Sequence, residues 1–306
     1  VTNKNERTIP LFGDISPDFI PNWIINLDQF LIEERKDKIK IKNSSPSWVN
    51  LEKRNKTNTG GDNFTSELQY FNKKGSFEYK ESGWYRYNNK RVSLFIRQDK
   101  MGFPEHVGHH HHDFGHFVLY IDNKEIFIDS GRENYLSKKG VFSNYHNTIE
   151  IDSFGALPKY PHRYPTQYSE CRNLINSYNK DNALNIEIES DGFSRLKNKL
   201  TFNRKFTINE NNIEIIDNIY GGKNRSLVNT YFYLDGNLLI NKEDSKKINL
   251  TSDSIKACLE INSNKSNYKI LKSYRFNEYG NPINCKLLRY EYLLSDSSSV
   301  RYKLKF

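Results

Sequence analysis

From about Ser66 onward, apolar residues recur at every second position. Ser76–Tyr79, Trp84–Tyr87 and Arg91–Arg97 alternate in this way and are separated by Gly or Asn turns. Phe117–Ile121 and Glu125–Asp129 read as a β-hairpin, and His146–Ile151 opens another strand. The same period returns at Leu184–Ile188, Leu200–Ile208, Ile213–Ile219, Val228–Leu234, Tyr268–Phe276, Lys286–Leu293 and Val300–Phe306. Alternate residues of a strand share one face, so period two marks a half-buried sheet. Many short strands with regular turns predict a mainly β protein, an antiparallel sandwich of two packed sheets.

The first part of the chain has a different rhythm. Ser16-Pro17 offers a cap and a first helical turn, and Phe19, Trp23, Ile24, Leu27, Phe30 and Leu31 follow at near-helical spacing. A helix over about 17–35 is expected. The charge run Lys36–Lys42 reads as a solvated face, and 43–62 as a Ser/Asn/Thr/Gly-rich linker. Residues 153–183, with Pro158, Pro161 and Pro165, read as loop-rich.

Composition narrows the partners without naming one. Lys and Arg number 46 against 37 Asp and Glu, a net charge of +9. Such a balance favours polyanions: nucleic acid, anionic lipid or acidic polysaccharide. There is no Cys-rich finger, helix-turn-helix pattern or RNP-like aromatic motif to support nucleic acid. Cys171, Cys258 and Cys285 are too sparse for a disulfide framework and read as small packed side chains. No apolar run approaches the roughly 18 residues of a membrane span. No signal peptide is visible; the chain opens at Val1 with its single methionine at Met101, so its N-terminus reads as processed or truncated.

Seven of the eight histidines lie between His106 and His146; the eighth is His162. An affinity tag would sit at a terminus, and loop-capping histidines would not need to cluster with acids. Metal or proton chemistry is the favoured cause, because neutral imidazole is the commonest metal ligand. On a strand, His109, His111 and Asp113 would project one way, and His110 and His112 the other. Asp129 ends the returning strand and His146 begins the next, so His111, Asp129 and His146 suit a zinc-like site with a fourth position left over. For His111 and Asp129 to share a face, the hairpin needs a three-residue turn or a bulge, because a two-residue turn at Asn123-Lys124 has the wrong parity.

These residues carry a family resemblance. Gly108-His109-x-His111-x-Asp113, then Asp129-Ser130-Gly131 with Tyr135 soon after, then His146-Asn147-Thr148, resembles the heparinase II/III-like polysaccharide lyases. Pro10–Asp18 looks like the segment that joins that family's helical toroid to its sandwich, and Gly83-Trp84-Tyr85 falls where the sandwich opens. The resemblance implies a connector over 1–62 and a sandwich domain over 63–306, without the N-terminal α/α toroid. It implies β-elimination on an acidic, uronic-acid-containing polysaccharide in a periplasmic or extracellular setting. His109 would be the catalytic histidine, His111, Asp129 and His146 would hold a structural Zn2+, Asp113 would orient a ligand or strand end, and Tyr135 and Arg132 would meet substrate.

The pattern departs from the family at two points. Val141–Tyr145 lacks the arginine that usually precedes His-Asn-Thr. The toroid would supply a catalytic tyrosine, so a separate toroid chain or a missing N-terminal domain is an expected partner. Two alternatives stand beside the lyase: a non-catalytic metal-stabilised carbohydrate-binding or surface-polysaccharide assembly module, and a cupin-type metal enzyme using His-x-His on a strand.

Overall fold

The computed structural model describes residues 30–31, 40–41, 75–79, 83–97, 111–134, 136–137, 139–157, 173–263, 267–278 and 280–306. A two-residue ladder pairs β1 (Phe30–Leu31) with β2 (Lys40–Ile41). Those two residues of the expected 17–35 helix are therefore extended, and the rest of that helix lies outside the described residues. The toroid-joining segment Pro10–Asp18 lies outside them as well.

The sandwich begins with a meander of β3 (Gly75–Tyr79), β4 (Trp84–Asn88), β5 (Val92–Arg97), β6 (Phe117–Ile121) and β7 (Lys124–Phe127). After β8 (Ile149–Ile151) a second meander runs through β9 (Asn173–Lys180), β10 (Ala183–Ser190), β11 (Thr201–Ile208) and β12 (Asn212–Tyr220). The chain then passes between sheets through β13 (Ser226–Leu234), β14 (Leu239–Lys242), β15 (Lys247–Thr251) and β16 (Lys256–Asn262). It finishes with β17 (Tyr268–Glu278), β18 (Asn281–Leu294) and β19 (Ser298–Lys305). The eight-stranded sheet has the order β14-β15-β16-β19-β12-β11-β10-β9. The nine-stranded sheet runs β17-β18-β13-β7-β6-β5-β4-β3, with β8 also paired to β13. Among the described residues the named strands all pair antiparallel, as the alternation predicts, and an isolated parallel bridge joins Gly131 to Phe276. Among the described residues no helix is long and apolar enough to cross a membrane.

The core lies between the sheets and is strongly aromatic. Phe206 of β11 meets Phe117 of the opposite sheet at a ring separation of 5.3 Å, Tyr302 of β19 meets Phe232 at 4.8 Å, and Phe127 packs against Phe232 within its own sheet at 5.3 Å. Edge-to-face contacts such as Phe232 on Tyr302, 84° between planes, add about 0.5–1.5 kcal/mol beyond burial. β11 and β12 bury every second residue, as a sheet with one wet face must. β6 is buried on both faces, which marks the part of the other sheet that is covered from outside as well.

One strand escaped the alternation. β9 lies inside the expected loop region 153–183. It is the edge strand of its sheet, and Asn176 to Lys180 are largely exposed, so no apolar row marks it. Of the cysteines, Cys285 is buried and Cys258 is half-buried, both as free thiols; Cys171 lies outside the described residues.

Candidate metal centre

The hairpin β6–β7 delivers the first half of the centre. Its turn is Asp122-Asn123, both with positive φ (47° and 63°), one residue earlier than the expected Asn123-Lys124. Mirror-image two-residue turns require this backbone, and Asp and Asn tolerate it. Past Tyr120–Glu125 the register slips, so that Leu119 pairs with Phe127 and Ile126 is the extra residue. Ile126 and Phe127 consequently both enter the core. This bulge supplies the parity change required to bring Asp129 toward the histidine run.

The histidine run itself does not continue β6 backwards. His111 to His116 form a turn in which the His116 amide donates to Asp113 O at 2.9 Å and Gly115 adopts φ +71°. The expected strand alternation therefore fails here. His111, His112 and Asp113 are all buried, and so is His116. His106, His109, His110, Tyr135 and His162 lie outside the described residues. Arg132 is half-buried and its Nε donates to Asn134 O at 3.2 Å.

The centre gathers around one carboxylate. Asp129 Oδ2 stands 2.9 Å from His116 Nε2 and 3.1 Å from His146 Nδ1, while Oδ1 accepts the Gly131 amide at 2.7 Å. Ligand atoms of His116, Asp129 and His146 all lie within 4.8 Å of one another, and all three side chains are buried. The His111 ring packs beside that of His146, with centroids 5.3 Å apart. Of the residues expected from sequence, Asp129 and His146 are thus in contact, and His111 is their buried neighbour. His116, to which the sequence assigned no role, joins them.

His-Asn-Thr proves to be three separate jobs. His146 faces Asp129. Asn147 Nδ2 donates to Phe117 O (2.7 Å) and Ile128 O (2.8 Å), and its Oδ1 accepts the Tyr233 amide (2.6 Å). It thereby bridges the extensions of β6 and β7 to β13. Thr148 Oγ1 donates to Phe114 O at 2.6 Å, tying down the histidine turn. The arginine-free segment Val141–Tyr145 has its own task. Val141 O accepts the His112 amide, and Ser143 Oγ donates to His112 O at 2.7 Å. Gly140 beside it approaches the backbone of Gly131 so closely that a Cβ would fall 2.0 Å from the carbonyl oxygen.

Burial alone would neutralise Asp129, yet the adjacent His146 and His116 prevail and hold its carboxyl far below the usual range. Burial opposes charge on His146 as well, but the Asp129 carboxylate wins and raises its pKa. On His116 burial wins and the pKa falls. Burial, with His146 adding to it, lowers His112 to about 3. The shifts thus favour charge on Asp129 and His146 and the neutral ring on His116 and His112. A cation would displace the His146 proton. Two buried imidazoles and a carboxylate whose donor atoms lie within 4.8 Å of one another are a set that divalent transition metals accept. The residues fit a metal.

A two-sheet antiparallel sandwich with a buried His–Asp–His cluster at one end of a bulged hairpin defines a class of β-sandwich protein with a candidate metal centre. The family described as "Heparinase II/III-like, C-terminal" matches residues 72–303, and the chain belongs to that family. Among solved structures it is similar to the heparan sulfate lyase HepC from Pedobacter heparinus (15% identity, TM-score 0.67, covering 97% of this chain and 44% of that one). It is also similar to a heparinase III (15%, 0.64, 97% and 44%) and to a heparinase III with methylated lysines (16%, 0.64, 97% and 42%). At these identities the likeness shows the fold, and the chain spans less than half the length of each. No curated protein matches it in sequence. Family membership sets the cupin alternative aside.

Proposed function

We propose that this chain is the sandwich part of a lyase that cleaves an acidic, uronic-acid-containing polysaccharide by β-elimination, in a periplasmic or extracellular setting. Residues 63–306 form the sandwich domain, and 1–62 the connector. His111, Asp129 and His146 hold Zn2+ in a structural role, fixing the turn from which the His109 run emerges. The observation that supports this most directly is the buried Asp129 carboxylate, held between two imidazoles, His116 and His146. A bound zinc would supply rigidity and a fixed positive charge.

The chemistry sets the remaining requirements. A base removes the C5 proton of the uronate, the electron pair forms the C4–C5 double bond, and the C4–O bond breaks. The departing oxygen takes a proton and becomes a hydroxyl. Neutralising the uronate carboxylate stabilises the enolate-like transition state. His109 takes the base or carboxylate-neutralising role, and Tyr135 and Arg132 contact the acidic sugar. An α/α toroid, on a separate chain or joined to this one, supplies the remaining acid–base group.

The test is production of unsaturated uronate from heparan sulfate by the zinc-loaded chain supplied with a toroid segment. Product that disappears in His109→Ala supports the reading. Tight binding of the polysaccharide with no product under any of these conditions points instead to the non-catalytic carbohydrate-binding module.

A further inference from the structure

Distance alone would make His116 a third protein ligand beside Asp129 and His146. Hydrogen-bond direction argues otherwise. A neutral imidazole has one nitrogen with an in-plane lone pair and one N–H, and a metal needs the lone pair. His116 Nδ1 lies 2.8 Å from the backbone amide of Asn147, and an amide N–H can only donate. Nδ1 therefore carries the lone pair, and the ring proton sits on Nε2, the atom 2.9 Å from Asp129 Oδ2.

The Asn147 amide is not free to turn away. The Asn147 side chain is fixed at both ends by Phe117 O, Ile128 O and the Tyr233 amide, and its carbonyl accepts Arg204 Nη1 at 2.6 Å. For Nε2 to bind a metal, the ring would have to become an imidazolate or abandon a buried amide. On His146 it is Nδ1 that meets the carboxylate, 3.1 Å from Asp129 Oδ2, and the lone pair is not committed to an amide as it is on His116. With His116 and His146 both on Asp129 Oδ2 and the Gly131 amide on Oδ1, Oδ1 keeps a lone pair for a cation.

We propose that His116 is a positioning residue and not a ligand: locked by the Asn147 backbone into its Nε2–H form, it clamps the Asp129 carboxylate in the orientation the metal requires. The proposal rests on the reading of this centre as a metal site. Partners of this kind around ligating groups typically contribute 10–100-fold in metal affinity.

Zinc affinity by chelator competition, the visible spectrum of the Co2+-loaded chain and the 15N spectrum of the histidine rings test it on the full chain. His116→Ala should still take one metal with an unchanged Co2+ spectrum, but bind it roughly 10–100-fold more weakly. His116→Gln, which returns an N–H donor, should recover much of the loss. In the zinc-loaded parent chain, His116 should show protonated Nε2 and unprotonated Nδ1. A changed Co2+ spectrum in both variants, or a metal-shifted His116 Nε2, overturns the proposal and makes His116 a ligand. If the parent chain and His146→Ala alike take up no metal, the metal reading itself falls and this proposal with it.

Discussion

Arg204 and Asp217 face each other across β11 and β12 on the core side of their sheet, joined at 2.6 Å (Nε to Oδ1) and 2.8 Å (Nη2 to Oδ2). Both are buried, and the guanidinium lies among the rings of Phe117, Phe202 and Phe232. Its free Nη1 crosses the core to Gly115 O (3.0 Å) and Asn147 O (2.6 Å). The eight-stranded sheet thus grips the backbone next to both His116 and His146. Removing one partner strands the other charge, so Arg204→Met or Asp217→Asn should cost about 3–5 kcal/mol in urea unfolding. The double change Arg204→Met/Asp217→Leu should be far milder for stability. It should nonetheless weaken metal binding, because the two carbonyls lose their donor.

Asn147 should be nearly irreplaceable. Asn147→Asp keeps the size but turns an acceptor toward Phe117 O and Ile128 O. Each buried group left unpaired costs roughly 1–3 kcal/mol. Thermal unfolding should register roughly 2–4 °C of lost Tm per kcal/mol in a chain of this size. Asn147→Ala should lose less than Asn147→Asp.

His109 and His111 should separate cleanly. His109→Ala is expected to leave metal content and Tm unchanged while abolishing lyase activity. His111→Ala should lower metal affinity and forfeit the stabilisation the ion confers, about 2.7 kcal/mol at a free concentration 100 times Kd. Metal analysis and calorimetry on the two variants check this; a large Tm loss in His109→Ala would contradict its assigned role.

Acid should weaken the fold through His112. Its folded pKa of about 3 lies below the value of about 6.5 for an unfolded histidine. The neutral ring's contribution is complete above that unfolded value and is lost as pH falls toward the folded one, because only the unfolded chain takes the proton. The slope approaches about 1.4 kcal/mol per pH unit. Urea midpoints measured across this window should fall less steeply in His112→Gln than in the parent chain.

The sandwich was legible wherever one face of a strand is buried. Phe117–Ile121 was placed to the residue, and β11 and β12 to within one residue or so, because their apolar rows are unbroken in phase. β9 is not, since this edge strand, largely exposed over 176–180, has no apolar row to show. In the centre, Asp129 and His146 followed from their strand ends. His116 was missed because the histidine run was treated as extended. The signal was present in Asp113-Phe114-Gly115, an Asp followed two residues later by Gly, as in a tight turn that needs positive φ. Arg204 and Asp217 stand out in the sequence as the one charge in each inward-facing alternate row, Phe202-x-Arg204-x-Phe206 and Ile215-x-Asp217-x-Ile219.

The slipped register at Ile126 divides the hairpin into two pairing frames. Between tip and bulge the strands keep one pairing frame; from Leu119–Phe127 onward they keep another. Deleting Ile126 would merge the frames without rotating Phe127, Ile128 or Asp129, sacrificing a packed aliphatic side chain but sparing the carboxylate's heading. A change at the Asp122-Asn123 tip is therefore expected to shift the outer frame while Phe127, Ile128 and Asp129 keep theirs.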